Sequence, residues 1–469
     1  IDFGFLDAAK DFPGGFVWFV EQFMPNAKAF DQMGKIASAL AMTILDAIAA
    51  GTLAAVIAFI LAVIASRVSG VGGPVQMVIR AFATVLRNIP TVAWGFILLF
   101  SFKQAEFTGF LALFFKSLGF LTRAFIETID EADAGSIEAL KATGASKLQI
   151  IVHGVFPLSL TQVVSWVLYM IETNFRDATL VGMLTGTGIG FVFNWYYRTF
   201  KYPTAGLVII CIAVAVIVVE AVSNYVRRRI GAPDGHSGEM RASRGKIKVR
   251  VRTASGTVLA VLVAYTWADM FEGLAVTLCI AVLATAGGAL IALVLSLLAA
   301  SNLSNKLVSN IIKTVMAIIR SVPTIIWVLV FTVAIGLGSE AAVIGMMFHT
   351  VSFLTKAFSE AFEEVDQGSL EALKATGATW WQQIARGVFP DKLNEILSWI
   401  FIRFENNFVG AVTVGAIAGS GGIGYYLYIV ANYMFNWHEM GLIIYLCLAV
   451  SVTLEIIATQ LRKRFIVHR

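Results

Sequence analysis

Glu-Ala-Leu-Lys-Ala-Thr-Gly-Ala is written twice in this chain, at Glu138–Ala145 and at Glu371–Ala378, 233 residues apart. Each copy leads into Gly-Val-Phe-Pro, at Gly154–Pro157 and Gly387–Pro390. Repetition at a long fixed spacing means duplicated structure, so any fold of this chain must build the same unit twice. Around both copies the chain is apolar, with long runs such as Ala47–Ala65, Leu207–Val222 and Val276–Ala300. A polar element repeated between such runs marks a surface that meets the same partner twice.

The 469 residues are 58% hydrophobic and 14% charged, with a mean hydropathy of +0.80. Soluble domains carry roughly a quarter charged residues. Runs of about 20 apolar residues cross a hydrocarbon core about 30 Å thick as helices. In lipid the backbone must satisfy its own hydrogen bonds, which leaves helices or closed barrels. These runs are continuous and do not alternate, which excludes a barrel. The fold class is therefore all-α and polytopic. Cys211, Cys279 and Cys447 lie in apolar runs with no Cys-x-x-Cys or Cys/His cluster, so neither disulfides nor a metal site are expected. The net charge of +5 is concentrated in Arg227–Arg252 and Arg462–Arg469. The positive-inside rule puts both on the cytoplasmic face and gives no reason to invoke nucleic acid.

Four segments follow: an external interfacial stretch at 1–35, a first repeat at 36–226, a basic linker at 227–255 and a second repeat at 256–469. The interfacial stretch mixes Asp2, Asp7, Asp11, Glu21 and Asp31 with Phe16, Trp18, Phe19 and Phe23, without a signal-peptide pattern. Beyond the linker the first half is replayed. Arg87-Asn-Ile-Pro90 matches Arg320-Ser-Val-Pro323, Trp94 matches Trp327, and Glu172-Thr-Asn174-Phe175 matches Glu405-Asn-Asn407-Phe408. Single-residue slips fall near Thr43/Thr277 and in the Gly-rich stretches. Hydropathy predicts membrane helices at 36–67, 75–102, 105–128, 158–182 and 203–226, and at 272–300, 307–337, 340–361, 391–415 and 438–461. With a short crossing at Thr257–Trp267, this makes about 11. Two helices separate each polar motif from a basic, cytoplasmic segment, so both motifs face the cytoplasm and the repeats are parallel. Parity puts Ile1 outside and expects one further helix before it.

Between two membrane helices, Glu138–Gly144 is predicted to form a short helix that Gly144 ends, because glycine tolerates positive φ. Pro157 then opens the next membrane helix, where a missing N–H costs little. Such a helix acts as a lever on both neighbours. The pattern Glu138-Ala139-Leu-Lys141-Ala-Thr-Gly144…Pro157, with Glu371-Ala372-Leu-Lys374-Ala-Thr-Gly377…Pro390, resembles the coupling motif of bacterial ABC importer permeases. The stretches Glu172–Gly182 with Gly186–Gly190, and His349–Lys356 leading to Glu363–Asp366, resemble permeases of the phosphonate-type importers. The resemblance covers nearly all of both halves. It implies a type I permease bundle in the bacterial cytoplasmic membrane, built from two repeats fused in one chain. It also implies a phosphonate, phosphite or phosphate cargo, a separate extracytoplasmic binding protein, and two ATPase subunits docking on the coupling motifs. ATP and Mg would then belong to the partner subunits, with no cofactor and no catalytic residue in this chain.

Charge inside a membrane helix is costly and marks a candidate path. Lys116 and its counterpart His349 are read as a pair of cations able to donate charge-assisted hydrogen bonds to an oxyanion; a structural partner or a snorkelling side chain is the competing reading. Glu172, Asn174, Arg176, Glu405 and Asn407 complete the candidate path. A carboxylate repels a phosphonate, so the glutamates are expected to pair with Lys116, His349 or Arg176. Arg87 and Arg320, near the kinking prolines Pro90 and Pro323, are read as structural. Gly186–Gly190 and Gly419–Gly424 have no preceding strand and no Gly-Lys-Ser/Thr, so they are read as helix breaks and not as nucleotide loops. An importer of methionine or another small nutrient, an ion-coupled transporter and a membrane scaffold are the rival readings.

Overall fold

The structure, a computed structural model, describes residues 14–15, 17–70, 72–131, 140, 142–231, 264–434 and 436–466, with no strand among them. It divides into two compact units, Val20–Ile247 with Ile444–Ala449, and Ile1–Phe19 with Lys248–Ile443 and Val450–Arg469. The first unit holds α1 (Met33–Ala65), α2 (Gly73–Asn88), α3 (Thr91–Phe102), α4 (Glu106–Asp130), α5 (Phe156–Thr185), α6 (Gly188–Arg198) and α7 (Tyr202–Ile230). The second half repeats the order as α8 (Ala264–Ala299), α9 (Lys306–Ser321), α10 (Thr324–Ile335), α11 (Ser339–Glu363), the short α12 (Gln367–Ala375), α13 (Phe389–Ala418), α14 (Gly422–Ile429) and α15 (Trp437–Ile466). Among the described residues, eight helices are long and apolar enough to cross a membrane, or up to ten if each of two bent pairs counts as one span.

Small residues set the packing. Ala47, Ala50, Ala54, Ala58, Ala62 and Ala65 recur every three or four residues on α1 and are buried, while Leu45, Val56 and Ile60 on other faces stay exposed. Such a face lets two helices approach closely without help from the hydrophobic effect. It seats α1 in a cluster with Leu121, Phe125 and Ile129 of α4. On α8 the same role falls to Ala281, Ala284, Gly288 and Ala292. A Cβ on Gly288 would lie 2.6 Å from the Thr350 side chain on α11.

Four expectations need correction. The segments 75–102 and 307–337 bend further than a kink at Pro90 and Pro323: α2 meets α3 at 94° and α9 meets α10 at 89°. Ile89 and Val322 are extended, as a residue before proline prefers. The indole Nε1 of Trp94 donates to the Leu86 carbonyl at 3.3 Å and that of Trp327 to the Ile319 carbonyl at 3.0 Å. Each tryptophan thus satisfies a carbonyl that the break would orphan. Second, Pro157 and Pro390 fall in the first turn of α5 and α13 as expected, but no loop precedes them. Helix runs from Lys147 and from Trp380 straight into α5 and α13 through the π-turns Ile151–Val155 and Ile384–Val388. A proline clashes with the carbonyl four residues back, and the widened turn relieves that clash. Third, Ala264–Trp267 belongs to α8 with no turn before 272; 257–263 lies outside the described residues. Fourth, α7 continues to Ile230, so Arg227 is helical and not part of the linker.

Candidate functional site

The repeated motif folds as a corner whose parts are encoded locally. Asp366 caps α12, accepting from the Ser369 N–H at 2.9 Å. The Ser369 hydroxyl, then the backbone N–H groups of Ser369 and Gly368, hold the Asp366 carboxyl below its ordinary 3.8. At the other end Gly377 takes φ +79. Its N–H bonds the Lys374 carbonyl at 2.9 Å, and the Ala378 N–H bonds Leu373 at 3.1 Å. This is the paired closure that a left-handed glycine allows. The first copy ends alike, with Gly144 at φ +77 and the Ala145 N–H on the Leu140 carbonyl at 3.2 Å. The next helix opens on a capping box, Thr379 with Gln382, and Ser146 with Gln149 uses the same reciprocal bonds.

The second repeated element now has a reason. Leu370 is buried, and a Cβ on Gly387 would lie 2.9 Å from Leu373 and 3.3 Å from Leu370. The glycine of Gly-Val-Phe-Pro is therefore the seat for the leucine face of α12. With that face turned inward, Glu371, Ala372, Lys374 and Gly377 are all exposed, as is Gly144. Glu138, Ala139 and Lys141 lie outside the described residues.

A carboxylate at the end of the preceding helix holds each corner's neighbouring turn. Asp130 accepts from the Ser66 hydroxyl at 2.8 Å and the Arg67 N–H at 2.7 Å, and pairs with Arg80 at 2.7 Å. Glu363 accepts from the Ser301 N–H at 2.7 Å and pairs with Lys313 at 2.7 Å. Sequence reasoning missed both pairs, although each partner recurs at the repeat spacing.

The intramembrane charges sort differently from expectation. Glu172 does not pair with Lys116 or Arg176; Arg227 of α7 holds it at 2.9 Å, both side chains buried. The expectation failed because Arg227 was counted as linker. Lys116 pairs with Asp177 of α5. Asp177 has Gly410 as its counterpart, so lysine and aspartate are exchanged together between the halves, a signal that was present in the sequence. In the second half His349 accepts at Nδ1 from the Arg403 guanidinium at 2.9 Å. Arginine has only donors, so His349 Nδ1 is the acceptor in this contact. Arg403, buried on α13 where the first half has Met170, carries the charge, donates to Thr350 at 3.2 Å and stacks over Phe353. Sequence reasoning overlooked it.

Asn174 and Asn407 are buried bridges within their own halves. Asn174 bonds Ser117 at 2.8 Å, and Asn407 bonds Thr285 at 2.8 Å and Thr350 at 3.0 Å. Glu405 and Arg176 are half-buried, and Arg176 Nε is a buried donor with no hydrogen-bond partner.

The Gly-rich breaks are packed turns. A Cβ on Gly190 or Gly424 would fall 1.8 Å from the carbonyl of Thr179 or Val412. The Ile189 and Ile423 N–H groups donate to the hydroxyls of Thr43 and Thr277, each at 2.9 Å. Both pairs have slipped by the same single residue, so the two irregularities in the repeat are one contact.

In both halves the repeated motif ends in a left-handed glycine exposed to solvent between long apolar helices. The description "Binding-protein-dependent transport system inner membrane component" matches residues 54–232 and 292–467, and the chain belongs to that family. It is 28% identical over 464 residues to the phosphate-import permease protein PhnE of Mycolicibacterium smegmatis, covering 93% of this chain and 87% of that one. It is 31% identical to the phosphite transport system permease protein PtxC of Stutzerimonas stutzeri, covering 40% of this chain and 68% of the relative. It is 29% identical over 131 residues to the methionine import system permease protein MetP of Bacillus subtilis, covering 27% of this chain and 59% of the relative.

Proposed function

We propose that this chain forms the translocation path for a phosphonate or a related phosphorus oxyanion, phosphite or phosphate, in the bacterial cytoplasmic membrane. Two permease repeats, 36–226 and 256–469, each present one corner to an ATPase subunit, through Glu138, Ala139, Lys141 and Gly144 and through Glu371, Ala372, Lys374 and Gly377. ATP and Mg act on those two partners, and a binding protein delivers the cargo from outside. The carrying observation is the second corner: Leu370 and Leu373 seat it against Gly387 at the start of the next membrane helix, so a push on its exposed face moves that helix. Closure of the ATPases then shifts the population between inward-open and outward-open bundles.

Each half has charged donors of its own, Lys116 and Arg176 in the first and Arg403 beside His349 in the second. Charge-assisted donors suit phosphorus oxyanions, and the alignment with a phosphate importer spans both halves. Methionine, a zwitterion with a thioether, remains the second reading because of the shorter similarity to methionine permeases. The test is ATP hydrolysis by the complex in lipid, with its ATPase and binding protein, comparing methylphosphonate, phosphite, phosphate and methionine. Stimulation by a phosphorus compound supports the reading; stimulation by methionine alone replaces the cargo and keeps the class.

A further inference from the structure

The second corner has a connection that the first cannot make with the same residue. Trp380 follows the corner directly and opens the helix that continues into α13. Its indole Nε1 donates to the Leu303 carbonyl at 2.9 Å. Leu303 sits in the turn between α8 and α9, where its own N–H bonds the Ala300 carbonyl at 3.2 Å. Glu363 at the end of α11 holds that turn through Ser301 and Lys313, and the Asn302 amide donates to the Phe362 carbonyl at 2.8 Å. One turn therefore gathers the ends of α8, α9 and α11 together with the docking corner. The neighbouring Trp381 ring meets Trp380 edge-on at 4.6 Å and is 68% exposed. In the first half the matching residues are Lys147 and Leu148. Neither has a planar N–H donor on a rigid ring.

We propose that Trp380 is a positioning residue for coupling. It ties movement of the second corner to the α8–α9 turn, so that corner drives several helix ends at once, and the two docking sites are mechanically unequal. The inference rests on the docking reading above. An indole is suited to the task because it has two side-chain torsions and one directional donor. A lysine side chain has four torsions and no donor fixed on a ring.

Trp380→Phe keeps an aromatic ring and removes the donor, and Lys147→Ala at the matching position in the first half is the control. Both are tested in the full complex with its ATPase subunits and binding protein in lipid, using phosphate, phosphite and methylphosphonate as probes. Amide exchange at 300–305 is followed with and without ATP plus vanadate. Trp380→Phe is expected to keep ATPase association and basal hydrolysis, to lower uptake per ATP about fivefold, the weight of one hydrogen bond, and to erase the nucleotide-dependent change in exchange at 300–305. The control is expected to leave all of these unchanged. Unchanged exchange response and unchanged uptake per ATP in Trp380→Phe would overturn the proposal. So would loss of ATPase association in that variant, which would make Trp380 part of the docking face. Failure of the unaltered chain to hold an ATPase would instead overturn the docking reading, and this inference with it.

Discussion

At the scale of single residues, the costliest groups are charges taken out of water. Glu172 and Arg227 are both buried and hold each other at 2.9 Å. Arg227→Met would strand the carboxylate, which typically costs about 3–5 kcal/mol. The expected outcome is a strongly reduced folded yield and a lowered thermal midpoint, partly recovered by adding Glu172→Gln. Recovery is the informative part, since a mere packing defect at Arg227 would not respond to Glu172. Lys116 and Asp177 make a second test. Replacing both by their second-half counterparts, Lys116→His with Asp177→Gly, is expected to destabilise less than Lys116→His alone. A thermal melt of the two variants decides it, and equal losses would show that the lysine and aspartate act separately. Asp366 gives the pH dependence. Its folded carboxyl is held below 3.8, so its capping contribution is fully present above the unfolded value. The contribution is lost only as pH falls through the lower, folded one. The protection of the Ser369 amide, its exchange measured against the intrinsic rate at each pH, should therefore be flat across neutral and mildly acid pH and fall below the carboxylate range.

At the scale of elements, the corner is the part whose sequence is most legible. Asp-x-x-Ser, the leucine pair, the Thr-Gly-Ala close and the Ser/Thr-x-x-Gln opening each specify their own geometry. No Cβ at Gly377 would meet an atom within 4 Å, so Gly377→Ala costs conformation alone, about 1 kcal/mol or somewhat more. It is expected to lower uptake per ATP while the bundle still assembles, and Gly377→Asn, which tolerates positive φ better, should recover part of the loss. Other elements were less legible because their cause lies in tertiary partners. Hydropathy shows an apolar stretch at 75–102 but not its right-angle break, which depends on Trp94 reaching back to Leu86. It could not tell a proline preceded by a loop from one preceded by a π-turn, because both follow the same residues. Arg227 went astray for a related reason: a basic run was read as linker although its first residues finish α7.

At the scale of the molecule, duplication made the fold readable and divergence made the path hard to read. Matching positions told which helices correspond, and the Thr43–Ile189 and Thr277–Ile423 contacts show that even the slips are conserved as pairs. The candidate path was legible only as a set of costly residues. Of that set, Asn174, Asn407 and Glu172 are occupied within their bundles, while Arg403, absent from it, supplies a buried cation. A buried polar group's role depends on its neighbour, and the neighbours lie more than 50 residues away along the chain, as with Lys116 and Asp177. The central claim is that both corners dock an ATPase. A photo-crosslinking residue placed at Lys374, and separately at Lys141, in the complex in lipid tests it most directly. The account predicts a covalent adduct with an ATPase subunit from each position. No adduct from either, with the ATPase present and the membrane bundle intact, would contradict it.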